Sequence, residues 1–232
     1  MTRVTLDKKI KQLLEEILAL QCMIDNATRG AMEALKNHDV ERARKIYRDD
    51  IEINKLRFAL EQNTMITIAT QQPIVATDLR LLASILEIVG ELERMGDYAK
   101  GIAKICIQIG DEPHIKPLID LPKMTDLVVS MLNRSVNAFV NQDAETARLI
   151  PAEDDQVDLL YHAIYSELVQ IMTLDQSTMD QANLLLWAAH NLERMADRVT
   201  NICERTIYVA TGKLEELDVS DDQSRQFDKE SG

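Results

Sequence analysis

Two short runs of this 232-residue chain place acids where an acid is costly. In one, Leu82, Leu86 and Val89 step along a helical stripe, and the same 3-and-4 spacing arrives at Glu93 and then Asp97. In the other, Leu186 and Ala189 lead likewise to Glu193 and Asp197. Helical residues four apart have Cβ atoms about 5–6 Å apart on one face. Two carboxylates there, bordering an apolar seam, repel each other and lose hydration unless something cationic compensates them. A multivalent metal ion would do so, and so would lysine or arginine. The preceding helix supplies a matching pair in each case, Asp50-x-x-x-Asn54 and Asp154-x-x-x-Asp158. In an antiparallel hairpin these pairs can come into register with Glu93/Asp97 and Glu193/Asp197. Four oxygen-bearing side chains are then expected to converge, twice per chain. An all-oxygen donor set suits Fe(III), Mn²⁺, Mg²⁺ or Ca²⁺ rather than a thiolate zinc site. Asn54 offers a neutral amide, so the second set is expected to hold metal more tightly.

Other chemistry is weakly represented. His162 follows Asp158 by four residues and His190 precedes Glu193 by three, but positions 159 and 187 are leucine and tryptophan. The Glu-x-x-His pattern of ferritin-like di-iron enzymes is therefore missing. Arg94 and Arg194, adjacent to the acids, are the competing internal cations. No Ser/His/Asp or Cys/His arrangement points to nucleophilic catalysis. With 39 acidic against 26 basic residues the net charge is −13, which argues against nucleic-acid binding. Cys22, Cys106 and Cys203 lie within helical patterns and are expected to be reduced core thiols of a cytoplasmic protein. The longest uncharged run, 16 residues from Gln62 to Thr77, is too short and polar to span a membrane. No signal peptide is expected from the opening MTRVTLDKKIKQLLEEI.

The elements that must position these acids are helices. Only 7 glycines and 5 prolines are present, too few for the turns of an all-β fold or for a glycine-rich nucleotide loop. Leu6, Ile10, Leu13, Ile17, Leu20, Ile24, Ala27 and Ala31 form an apolar seam at the heptad period. Similar seams run from Leu81 to Ile109 and from Leu185 to Ile202. Asp39 and Asp143 read as N-caps, Pro73 as the opening of a third helix, and Gly110 and Gly212 as stops. Pro151 must kink the fifth helix or mark its start. The expected organisation is a three-helix bundle over 1–110, a proline-containing linker over 111–121, a second bundle over 122–212, and an acidic, frayed tail over 213–232.

The halves repeat. Asn37-x-Asp39-x-Glu41-x-Ala43-Arg44 returns as Asn141-x-Asp143-x-Glu145-x-Ala147-Arg148, and Leu92-Glu93-Arg94-Met95-Gly96-Asp97 returns as Leu192-Glu193-Arg194-Met195-Ala196-Asp197. Offsets are 104 residues (141 − 37) and 100 residues (192 − 92), in the same order. This is the mark of a duplicated three-helix unit. With Gln71-Gln72-Pro73 and Asp78-Leu79-Arg80, these motifs closely resemble the PhoU family over roughly residues 5 to 212. The resemblance implies an all-α fold of two tandem three-helix bundles and a regulator rather than an enzyme. It implies multinuclear metal clusters, iron foremost with Mn, Mg, Ca or Zn as alternatives. Carried over by position, the ligands are Asp50, Glu93 and Asp97, then Asp154, Asp158, Glu193 and Asp197, with Asn54 departing from the acidic pattern. The implied partners are a Pst-type ABC phosphate importer and a PhoR-type sensor kinase, restrained when phosphate is plentiful. A homodimer, peripheral to the membrane through its partners, is expected. Two other readings remain: a carboxylate-bridged metalloenzyme, and a metal-free helical adaptor.

Overall fold

A computed structural model describes residues 3–71 and 73–217; Gln72 and most of the acidic tail, from residue 218 onward, lie outside the described residues. Among these residues there is no strand. The chain runs α1 (Arg3–Asn37), α2 (Val40–Thr70), α3 (Ala76–Ile109), α4 (Asp120–Asn141), α5 (Ala144–Leu149), α6 (Asp154–Leu174) and α7 (Met179–Thr211). A 3₁₀ turn, Pro151–Glu153, joins α5 to α6, so Pro151 breaks what is a single rod in the first half. Helices α1–α3 form one bundle, and α4, the broken α5–α6 rod and α7 form the other.

The seams are the cores. Ile17, Leu20, Ile24 and Ala31 of α1 pack against Ile85, Ile88, Leu92 and Met95 of α3 in one apolar cluster that continues through Leu192 and Met195 of α7. Burying each such Leu or Ile is worth about 1.5–3 kcal/mol, which offsets the entropy of ordering long helices. Cys22 departs from expectation: it is exposed, while Cys106 and Cys203 are buried. The reason is phase, since Cys22 lies two residues from both Leu20 and Ile24 and so falls on the opposite face.

The duplication extends to backbone detail. His38 (φ 55°) and Gln142 (φ 53°) both adopt the left-handed conformation that ends a helix. Beyond them, Asp39 N–H donates to the Ala34 carbonyl at 2.9 Å and Asp143 N–H to that of Ala138 at 2.8 Å. Both aspartates then cap the next helix, Asp39 accepting from Arg42 N–H and Asp143 from Glu145 and Thr146 N–H. Gly110 and Gly212 end α3 and α7 at φ 65° and 77°, where a side chain would be strained. Helix α3 opens at Ala76 rather than at Pro73, behind an extended Val75.

The halves meet along α3 and α7, which run antiparallel. As the residue number rises on α3, that of its partner on α7 falls. Glu87 pairs with Arg205 at 2.5 Å, Glu91 accepts from Asn201 at 3.1 Å, and Tyr98 meets Arg194. Gly101 lies under Asn191, whose Nδ2 would stand 2.7 Å from any Cβ there. The connection between the halves is pinned to α7, with Ile115 N–H donating to Gln181 Oε1 and Gln181 Nε2 donating to the Pro113 carbonyl. After α7 the chain returns along the bundle, where Glu215 pairs with Arg148 at 3.1 Å.

Candidate metal centre

In the first half, α2 and α3 are antiparallel and bring the expected residues to one seam. Asp50, 5% exposed, lies beside Gly96. Its Oδ2 accepts from Asn54 Nδ2 at 3.1 Å, one helical turn on. The same oxygen accepts from Lys100 Nζ at 2.7 Å. Lys100 also stands 3.8 Å from Asp97, and Arg57 stands 3.9 Å from Glu93. Burial, then the charge of Asp97, pushes the Glu93 carboxyl above its ordinary range; Arg57 opposes this, and Asp50 adds to it. Asp50, Asn54, Glu93 and Asp97 thus share one neighbourhood, and so do the cations Lys100 and Arg57.

The second half gathers Asp158, Glu193 and Asp197. Burial and then Asp197 raise the Glu193 carboxyl, with Asp158 adding to the effect and His190 and Arg194 opposing it. His190 Nδ1 is 3.1 Å from Glu193 Oε2, without the alignment of a hydrogen bond, and that oxygen is buried. Arg194 lies 3.6 Å from Asp197. Its counterpart Arg94 turns away from the motif to Glu91, at 2.5 Å. Asp154 opens α6 directly after the Pro151 turn. His162 sits against the Tyr161 ring at 5.8 Å between centroids.

Lys100 and Arg57 were not anticipated as part of the site. The signal was present: at the repeat offsets, position 200 is threonine and position 161 is tyrosine. Both cations that steady the first set of acids are therefore neutral in the second. The first set carries three carboxylates and an amide already in contact with an ammonium, which does not fit a multivalent cation. The second brings together three carboxylates, Asp158, Glu193 and Asp197, with no lysine at the equivalent place and a buried carboxylate oxygen on Glu193 lacking a hydrogen bond. That donor set fits a hard cation. Among the described residues no three carboxylate, imidazole or thiol side chains stand close enough to share one ion in their present rotamers.

The PhoU domain profile matches residues 17–106 and again 121–206, one copy per bundle. The chain belongs to the PhoU family. The phosphate-specific transport system accessory protein PhoU homolog of Clostridium acetobutylicum is 37% identical over 217 residues, 94% of this chain and 99% of that protein. The corresponding PhoU of Escherichia coli is 29% identical over 88% of this chain and 85% of its own length. The phosphate transport system regulatory protein PhoU from Streptococcus pneumoniae superposes with a TM-score of 0.84 at 33% identity, covering 91% of this chain and all of that one. PhoU from Pseudomonas aeruginosa gives 0.84 at 28% identity. The tandem all-α bundles read from the repeat are the PhoU fold. No helix among the described residues is long and apolar enough to cross a membrane.

Proposed function

We propose that this PhoU-family chain is a cytoplasmic accessory regulator of phosphate uptake. It restrains a Pst-type ABC importer and a PhoR-type sensor kinase when phosphate is plentiful. The carrying observation is the pair of PhoU domains together with end-to-end similarity to proteins named as phosphate-transport accessories. A regulator of this kind acts through its surface, and its outer faces carry apolar side chains for that purpose. Tyr47, Ile51, Phe58 and Met65 are all more than two-fifths exposed along α2, as is Trp187 on α7. The chain works as a homodimer and reaches the membrane only through its partners.

We propose further that the second half holds a metal centre, iron foremost, on Asp154, Asp158, Glu193 and Asp197. Bound there, a hard cation would neutralise carboxylates that otherwise repel. With the cation bound, these side chains would hold α6 against α7, so the centre would be a structural clasp on the regulator's fold. A metalloenzyme is disfavoured, because Leu159 and Trp187 stand where its Glu-x-x-His glutamates belong.

Co-purification from cells grown in high phosphate tests the regulatory reading. The tagged chain should retain the importer's ATP-binding subunit, and loss of that capture on phosphate starvation is the expected control. Equal capture of unrelated ABC subunits would count against the proposal.

A further inference from the structure

We infer that Lys100 is the resident cation of the first half: its ammonium occupies the place a metal ion would take between α2 and α3. The metal of this chain is therefore confined to the second half. The inference rests on the metal reading for its second clause, whereas its first clause stands on side-chain geometry alone.

Three observations converge. Asp50 is buried, and its Oδ2 already receives two donors, Lys100 Nζ at 2.7 Å and Asn54 Nδ2 at 3.1 Å. A hard cation bound to that oxygen would stand about 2.0–2.6 Å away. It would meet the ammonium at a separation where like charges repel strongly. Second, Lys100 spans the acids as a bridging ion does, reaching Asp97 at 3.8 Å from the same ammonium. The Tyr47 ring lies under the ammonium at 5.4 Å. Third, the internal repeat provides its own control. Where the first half has Asn54, Arg57 and Lys100, the second has Asp158, Tyr161 and Thr200. Each change makes the second half more negative or less positive at that position, and Asp158 and Tyr161 both lie near Glu193. One duplicated scaffold has thus arrived at two ways of compensating buried acids. One half carries a covalently attached ammonium bonded to its buried acid; the other has Arg194 at 3.6 Å from Asp197 and His190 at 3.1 Å from Glu193 and, on the metal reading, takes a further cation from solution.

The consequence is a division of labour. The first bundle is stable whatever the metal supply, and only the second can respond to it. The test compares wild type, Asp50→Asn, Lys100→Met, Lys100→Arg and Asp197→Asn, purified without chelators. Metal per chain is measured by elemental analysis, and melting is followed after EDTA treatment with and without added Mn²⁺. Asp50→Asn and Lys100→Met should keep the wild-type metal content and the wild-type rise in melting temperature on adding Mn²⁺. Asp197→Asn should lose most of both. Lys100→Met should melt roughly 5 °C below wild type in EDTA, because it strands a buried carboxylate, and Lys100→Arg should recover most of that loss. Metal lost from Asp50→Asn would overturn the inference while leaving the metal reading intact. Metal absent from wild type, with no response to Mn²⁺, would refute the metal reading and with it the confinement to the second half. Lys100 is then judged by the EDTA melts alone, and a Lys100→Met chain that melts like wild type refutes its role as resident cation.

Discussion

Glu91 sits where the two bundles are joined, and removing it tests how that joint is held. Its carboxylate accepts from Arg94 Nη1 at 2.5 Å on its own helix. Across the interface it accepts from Arg198 at 3.4 Å and from Asn201 Nδ2 at 3.1 Å. The three contacts are not equal. Arg94 is 54% exposed, so its pairing is worth little after solvent screening. Arg198 is only 18% exposed and the Glu91 side chain 15%, so their pairing is the one that survives desolvation. Glu91→Ala strands the Arg198 guanidinium, whose Nε is already buried without a hydrogen bond, and leaves the Asn201 amide without its acceptor. Charge-assisted bonds contribute about 1.5–3 kcal/mol, and the 3.4 Å separation places this one near the lower end. With the neutral Asn201 bond added, the expected loss is about 2 kcal/mol. For a chain of this size that is a fall in melting temperature of about 4–8 °C. Glu91→Gln keeps an acceptor for Asn201 and should lose roughly half as much. The assay is scanning calorimetry at low and high salt, the deficit of Glu91→Ala persisting at high salt because the pair is sheltered. A Glu91→Ala chain that melts with wild type would refute the view that a few polar contacts, rather than the apolar seam alone, fix α3 on α7. So would an equal loss from Glu87→Ala, where the glutamate is 49% exposed.

Two further outcomes follow from burial. His114 stacks on His38 at 3.9 Å and lies 2.8 Å from the Leu35 carbonyl; burial, partly opposed by that carbonyl, pushes its pKa below the ordinary 6.5. The unfolded chain therefore binds the proton more readily, so stability is complete above pH 6.5 and falls as pH drops through that value towards the depressed one. Melting temperatures followed downward from neutral pH should show this fall, and His114→Gln should flatten it; an unchanged slope would exclude His114 as its source. Among the thiols, burial pushes Cys106 up to about 11 and Cys203 to about 12, whereas Cys22 is exposed. Brief alkylation of the native protein near pH 8 should place one adduct, on Cys22, and alkylation in urea should place three, as read by peptide mass spectrometry.

How far the fold could be read beforehand depends on which signals are local. Helix seams, the caps at Asp39 and Asp143, and the stops at Gly110 and Gly212 are written in residues near each other in sequence, and each is found in place. Helix α3 starts three residues after Pro73 because the backbone is still extended at Val75 before it winds. Cys22 was misplaced because a helical pattern says that a residue is on the helix and not which side it faces. The acids of both seams were legible as a stripe adjoining the core. Their counter-ions were less so, because Lys100 reaches Asp50 across 50 residues of sequence. Lysine on a helix reads as solvated surface unless its counterpart in the repeat is also examined. Thr200 and Tyr161 supply that comparison, and the asymmetry between the halves becomes visible only when the repeat is aligned through α2 as well as α3.

Phosphate uptake in cells tests the proposed regulatory function and the acidic seam of the second bundle together. In a strain lacking the gene, grown in phosphate-rich medium, uptake through the importer should run unrestrained. Supplying the wild-type chain should restore restraint. A folded Glu193→Gln/Asp197→Asn chain at matched abundance should fail to restore it, whereas the Lys100→Arg chain should succeed. Uptake indifferent to the deletion would contradict the regulatory function, and full restraint by the Glu193→Gln/Asp197→Asn chain would contradict the role given to the seam.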